Sequence, residues 1–298
     1  MTDSAMNTSQ KNSVSRDEPM SKHTSWRLGG PADIYFRPEN VAELRAFLRD
    51  LDNNVPVYWT GLGSNLLVRD GGIRGVIVTP TQALGNVDRL PDNRVEAGAG
   101  VPCTVLARRC ARWQLGPAEF FAGIPGTIGG ALMMNAGAFG GETWDQVSEV
   151  DTVNRCGEVH TRDRSEFDVA YRQVTGPAGE WFIGARFQFA EQAEDGLERV
   201  RALMRERQEK QPLGLPSCGS VFRNPPGQHA AQLIDSAGLK GYRIGAAAVS
   251  EKHANFIINT GDATAADVEA LIRHIRTAVE ERHGIRLELE VHIVGEPA

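Results

Sequence analysis

Cysteine is scarce in this chain. Cys103, Cys110, Cys156 and Cys218 form no CxxC pair and no metal-ligand spacing, which argues against a disulfide framework or a zinc site and for reduced, unpaired thiols with no metal. No apolar run is long enough to span a bilayer, so no membrane association is expected. Positive charge is not in excess: 32 Lys and Arg stand against 38 Asp and Glu, a net charge of -6, which argues against a nucleic-acid-binding face. Neither G-x-G-x-x-G opening a helix nor G-x-x-x-x-G-K-[ST] occurs, so the two commonest phosphate-loop readings fail on spacing. The opening "MTDSAMNTSQKNSVSRDEP" has no apolar signal core; a flexible tail over residues 1–20 of a cytoplasmic protein is expected.

What the chain has in quantity is glycine, 32 residues, and its distribution is uneven. "AGIPGTIGGALMMNAGAFGGE" (122–142) carries seven glycines and no charge before Glu142. Bare backbone of this kind lets another group approach closely, at an entropic cost that a core segment avoids. "GLGSN" (61–65) is a second such turn, directly after the strand-like "VPVYWT". Its amides, with the Ser64 and Asn65 side chains, suit a phosphate nest. Two such loops suit a dinucleotide or flavin; tight turns with close strand packing explain them equally well.

Around these loops strands alternate with helices. Asn40 and Glu43 make a capping box for a helix with Val41, Leu44, Phe47, Leu48 and Leu51 on one face. "ADIYFRP", "RGVIVTP", "SEVDTVNR", "GEVHTR" and "EWFIGARFQFA" read as strands, and residues 104–115 as an amphipathic helix. Residues 191–211 turn charged and helical, marking a domain boundary. Beyond it, Asp262 or Thr264 caps a helix stopped by Gly284, and "IRLELEVHIV" alternates so that Glu290 points away from the apolar face, beside Glu288 and His292.

Several of these segments carry a resemblance. "HTSWRLGGPADIYF" (23–36), "GLGSNLLV" (61–68), "FFAGIPGTIGGALMMNAGAFGGE" (120–142), "YRQV" (171–174), "KQPLGLPSCGSVFRNP" (210–225), "HANFIIN" (253–259) and the closing "LELEVHIVGE" occur in this order. Together they resemble the UDP-N-acetylenolpyruvoylglucosamine reductases, flavoenzymes of bacterial cell-wall precursor synthesis, in the shorter type that lacks an inserted tyrosine-bearing loop. The resemblance implies an α+β protein: a vanillyl-alcohol-oxidase-type FAD-binding domain of two α+β subdomains over 21–206, then a smaller α+β substrate-binding domain over 207–298, whose last strand has the option of packing back on the first. It also implies non-covalent FAD, NADPH as reductant, and a small-molecule substrate, UDP-N-acetylglucosamine enolpyruvate, reduced to UDP-N-acetylmuramate. No obligate protein partner is implied.

Residue by residue, the resemblance assigns the cofactor to Gly61, Leu62, Gly63, Ser64, Asn65 and Leu66, and to Gly123, Ile124, Pro125, Gly126, Thr127, Gly129, Gly130, Asn135, Ala136 and Gly137. It assigns substrate contacts to Lys210 and Asn224. Hydride addition to an enolpyruvyl group pushes charge toward the carboxylate and leaves a carbon to be protonated, so a fixed cation and a proton donor are needed. The resemblance gives these roles to Arg172, which suits a carboxylate, to Ser220 as proton donor, and to Glu290 as a stabiliser of the intermediate. Taken singly, Arg172 fits a surface ion pair, Ser220 a turn and Glu290 a solvent face; it is the ordered set that points to chemistry. Leu62, Phe139, Val174 and Cys218 depart from the family pattern without removing a group the chemistry needs. A different FAD oxidoreductase, or a flavin-binding regulator that lost turnover, remains compatible with the glycine loops alone.

Overall fold

A computed structural model describes residues 13–193 and 195–298. They fall into two compact units. One takes the chain as far as Ser15, Ile34–Gly61 and Gly75–Arg207; the other takes Arg16–Asp33, Leu62–Arg74 and Gln208–Ala298. Both mix helices with mainly antiparallel strands, an α+β architecture. Among the described residues no helix is long and apolar enough to cross a membrane.

The first unit holds two cores. In one, the Val41–Asp50 helix, capped by Asn40 Oδ1 accepting from Glu43 N at 2.9 Å, buries Leu44, Phe47 and Leu48 against Phe36, Val76 and Val78. Phe36 and Phe47 stack with centroids 3.8 Å apart. Each such side chain contributes roughly 1.5–3 kcal/mol of burial. Here Val57–Trp59 pairs in parallel with residues 76–78, so Thr60 and Thr79 emerge side by side at the carboxyl ends of two strands. The other core lies on a five-stranded antiparallel sheet ordered Val159–Asp163, Val147–Asn154, Glu180–Gln188, Arg94–Gly98, Val87–Arg89. Against it pack Leu106, Ala107 and Cys110 of the Cys103–Arg112 helix, with Phe121 edge-on to Phe187.

The second unit gathers its core from all three of its segments. Trp26 and Leu28, Leu67, and Val221, Phe222, Ile234, Ile257, Leu271 and Val291 form one cluster. Trp26 donates its indole N–H to Ile257 O at 2.7 Å, and Asn259 returns an amide to Trp26 O at 3.0 Å. The long Ala265–His283 helix starts at a capping box, Thr264 with Asp267, and ends at Gly284 with φ 67°, a left-handed cap that glycine adopts without strain. Asp70 reaches the same helix start from a distant segment, its two oxygens accepting from Ala265 N at 2.8 Å and Ala266 N at 3.0 Å. His292–Val294 pairs in parallel with Leu66–Val68, so the closing strand stays within this unit.

Two sequence expectations need correction. The flexible tail expected over 1–20 lies outside the described residues up to 12, but Val14–Pro19 is a strand. Ser13 O accepts from Arg37 N at 2.8 Å, and the wholly buried Met20 donates N–H to Gly30 O at 3.1 Å. Backbone pairing, which a charged sequence does not advertise, orders this stretch. The expected strand over 285–293 keeps its alternation of burial, yet is a regular strand only at His292–Val294, joined upstream by a single antiparallel bridge between Leu289 and Phe222.

Candidate active site

The glycine-rich loops are built by close packing as much as by exposure. In the first unit, a Cβ at Gly61 would lie 2.4 Å from Thr127 Oγ1, so only glycine lets this strand end meet the second loop. Thr127 caps the Ile128–Met134 helix, its hydroxyl accepting from Gly130 N at 3.4 Å. That helix inside the glycine-rich stretch was not expected from the sequence. Ile124 and Ile128 are core residues, Gly126 O accepts from Cys103 N at 2.9 Å, and Gly129 sits against Ala99. Next to Gly61, Thr79 Oγ1 is buried without a hydrogen-bond partner. An uncharged backbone turn beside an unsatisfied buried hydroxyl fits the polar, hydrogen-bonding body of a dinucleotide such as FAD.

Asn135 ends the short helix in the left-handed region, φ 44° and ψ 51°. Its side chain is wholly engaged by protein: Nδ2 donates to Glu142 Oε2 at 2.8 Å and toward Ala170 O at 3.4 Å, and Oδ1 accepts from Trp144 N at 3.1 Å. Ala136 O accepts from Thr143 N at 3.0 Å, and Gly137 pairs with Glu142 across a tight hairpin. Arg172 occupies the second position of the two-residue turn between Asp168–Ala170 and Gln173–Thr175, with φ 56°. Its guanidinium donates to Asn135 O at 3.2 Å and Gly137 O at 3.4 Å, and lies 5.0 Å above the Tyr171 ring. A bulky residue held at positive φ marks a strained site of the kind found where function demands it. The first unit thus brings Arg172 together with Asn135 and Gly137.

The second unit brings Asn65, Ser220 and Glu290 together. Glu290 N donates to Val221 O at 2.8 Å, directly after Ser220, and Asn65 Nδ2 donates to Glu290 O at 2.8 Å. His292 N then donates to Asn65 O at 3.0 Å. The Ser220 hydroxyl makes no hydrogen bond to another described residue, so its proton is not committed. Asn255, buried and missed by the sequence reading, pins this segment in both directions: Phe222 N donates to its Oδ1 at 3.0 Å and its Nδ2 donates to Phe222 O at 2.8 Å. A buried Asn within "HANFIIN" is the signal that was available.

Other expected residues have structural duties. Gly63, φ 61°, would place a Cβ 2.1 Å from His23 O. Leu62 is exposed and Leu66 opens the Leu66–Val68 strand, while Ser64 is half-buried between them. Asn224 Oδ1 accepts from Ala230 N at 3.0 Å at the start of the Ala230–Ser236 helix. Lys210 is the exposed last residue of the Gly196–Lys210 helix. Pro125 and Gly130 are exposed in the first unit. Burial pushes the Cys218 thiol up to about 12, so it is no thiolate. Partial desolvation of its ring, reinforced by Arg223, holds the otherwise exposed His292 below the ordinary imidazole range; burial also lowers His253, with a smaller contribution from Lys240. Among the described residues no three His, Cys, Asp or Glu side chains are grouped to hold a metal ion.

Comparison with known proteins extends over both units. Residues 32–163 match a family described as an FAD binding domain, and residues 211–294 match the C-terminal domain of UDP-N-acetylenolpyruvoylglucosamine reductase. The chain is 58% identical over 280 residues to the UDP-N-acetylenolpyruvoylglucosamine reductase of Alkalilimnicola ehrlichii, covering 94% of each chain. It is 50% identical to that of Legionella pneumophila strain Paris, covering 99% of this chain and 98% of the relative. The crystal structure of UDP-N-acetylenolpyruvylglucosamine reductase from Thermus caldophilus superposes with a TM-score of 0.78 at 33% identity, covering 94% of this chain and 97% of that one. With these identities extending across nearly its whole length, the chain belongs to the UDP-N-acetylenolpyruvoylglucosamine reductase family.

Proposed function

We propose that this chain is an FAD-dependent oxidoreductase that reduces UDP-N-acetylglucosamine enolpyruvate to UDP-N-acetylmuramate with NADPH, in the cytoplasm. It thereby serves peptidoglycan precursor synthesis, and through it cell-wall biogenesis, shape and division. The observation that carries the reading is the convergence in one unit of Asn65, the uncommitted Ser220 hydroxyl and the Glu290 backbone. Residues 61–66, 123–127, 129, 130 and 135–137 would hold FAD without a covalent bond, mainly through backbone, and the bound FAD would supply the hydride drawn from NADPH.

The protein residues manage the charge and the proton. Arg172 orients the enolpyruvyl carboxylate, where a planar guanidinium stabilises the enediolate-like charge that builds as the double bond is reduced. Ser220 gives its Oγ proton to the carbon beside that carboxylate. A hydroxyl is a weak acid, but one held within hydrogen-bond reach of a carbanion-like centre suffices. Glu290 stabilises the same intermediate, and Lys210 and Asn224 hold polar groups of the substrate. The residues 207–298 serve as a substrate-binding domain.

The test is anaerobic visible absorbance of the FAD-loaded protein through sequential addition of NADPH and the enolpyruvyl substrate. Bleaching followed by rapid return of flavin colour is expected. In Ser220→Ala, bleaching persists while the return slows by about 10²–10⁴-fold. An unchanged return would remove Ser220 from the chemistry, and bleaching without return in the unaltered protein would point to a different FAD oxidoreductase.

A further inference from the structure

We infer that Glu142, acting through Asn135, is a positioning residue for Arg172, fixing the plane in which its guanidinium meets the substrate carboxylate; this rests on the role given to Arg172 above. Arg172 stands at the tip of a two-residue turn, half-buried, with its own backbone in the left-handed region. A free arginine side chain there would have about 2 kcal/mol of rotamer entropy to lose on each encounter with substrate. The loss is taken in advance by two acceptors, Asn135 O at 3.2 Å and Gly137 O at 3.4 Å. The Asn135 carbonyl would not point at Arg172 from an ordinary helix end. Asn135 carries its carbonyl there because φ is 44°, and three side-chain hydrogen bonds hold it: to Glu142, from Trp144 N, and to Ala170 O in the strand that leads into the Arg172 turn.

Glu142 is brought into place by local chain geometry. It pairs with Gly137 in a hairpin whose two turn residues, Phe139 and Gly140, have φ 52° and 85°. Positive φ at both positions is the signature of the type I′ turn that sets a two-residue hairpin's register. A slip of one residue would send Glu142 to the opposite face and release Asn135. Because the acceptor is a carboxylate, the Asn135 N–H bond is charge-assisted and short, 2.8 Å. Asn135 is also expected from the sequence to meet the cofactor; its side chain is engaged in this clamp.

The experiment compares Glu142→Ala, Glu142→Gln, Asn135→Gly and Arg172→Ala as FAD-loaded proteins. It reads FAD affinity by fluorescence, substrate affinity for the oxidised protein by calorimetry, and the two half-reactions by stopped flow. Glu142→Ala is expected to slow flavin reoxidation by substrate about ten- to a hundredfold, since a displacement of about 1 Å costs as much as 10², and to weaken substrate binding, with FAD affinity and reduction by NADPH within twofold. Glu142→Gln keeps an oxygen that accepts from Asn135 Nδ2 and is expected to recover to within about threefold of wild type. Asn135→Gly keeps the left-handed backbone while removing the clamp, and is expected to match Glu142→Ala in reoxidation. Combining Glu142→Ala with Arg172→Ala should be no worse than Arg172→Ala alone, because both act on one group.

Wild-type reoxidation in Glu142→Ala, beside a collapse in Arg172→Ala, would overturn the positioning role and leave Arg172 in the reaction. Equal loss of FAD affinity and both half-reactions in Glu142→Ala, with no recovery in Glu142→Gln, would make Glu142 merely structural. Unchanged reoxidation in Arg172→Ala would overturn the role of Arg172 and this inference with it.

Discussion

Replacing Arg172 once by glycine and once by alanine separates the strain in its backbone from the work of its side chain. Both substitutions remove the guanidinium and its hydrogen bonds to Asn135 O and Gly137 O, so that loss cancels in the comparison. What differs is the backbone at φ 56°. An L-residue there costs roughly 1–2 kcal/mol that glycine avoids, while the freer unfolded chain of glycine returns about 0.4–1 kcal/mol. Arg172→Gly should therefore be more stable than Arg172→Ala by about 0.5–1 kcal/mol, the reverse of the order at an ordinary position. In urea unfolding at one saturating FAD concentration, with a slope near 3 kcal/mol/M, the midpoint rises by about 0.2–0.3 M. Reoxidation by the enolpyruvyl substrate should be slow in both. If alanine were as stable as glycine or more so, the strain argument would fail.

Other outcomes follow from the same geometry. Gly61→Ala should weaken FAD retention, because its Cβ would meet Thr127 Oγ1 at 2.4 Å; Thr127→Ala in the same protein should recover part of the loss despite removing a helix cap worth about 1 kcal/mol, and additive losses in the double variant would refute the contact. Asp70→Ala should cost about 1–2 kcal/mol in unfolding experiments, through the two N–H groups it caps at the Ala265–His283 helix. His253 and His292 are both held below the ordinary imidazole value of 6.5. The unfolded chain therefore binds the extra protons first, and stability present above pH 6.5 should be lost as pH falls through the lowered folded values. The joint replacement His253→Asn and His292→Asn should flatten that decline, and an equally steep fall without the two imidazoles would assign it elsewhere.

Where local signals suffice, the fold was readable from the chain. The helix after Asn40 declares itself by a cap and a 3.6-residue stripe, and Thr264 with Gly284 brackets the long helix. Val14–Pro19 was missed because a strand written "VSRDEP" owes its order to backbone pairing. The Ile128–Met134 helix hid among glycines because its Thr127 cap and its packing on Ala99 outweigh weak propensity. Of the site, the residue types and their order were visible; their company was not. Asn65 bonding the Glu290 backbone, Asn255 bracing Phe222 and Glu142 holding Asn135 all depend on where residues 225, 33 and 7 positions apart happen to meet.

The pairing of Leu66–Val68 with His292–Val294 also sets a clock on synthesis. Leu66 and its partner His292 are 226 residues apart, so a ribosome adding about 5–20 residues per second leaves the first strand without its neighbour for roughly 10–45 s. Leu67 and Val68, both fully buried in the finished protein, stand open to wrong partners throughout that interval. The strand that carries the first glycine loop into the second unit is thus among the earliest sequences made and the last to be completed, and the nascent chain's solubility should depend on what shields it meanwhile.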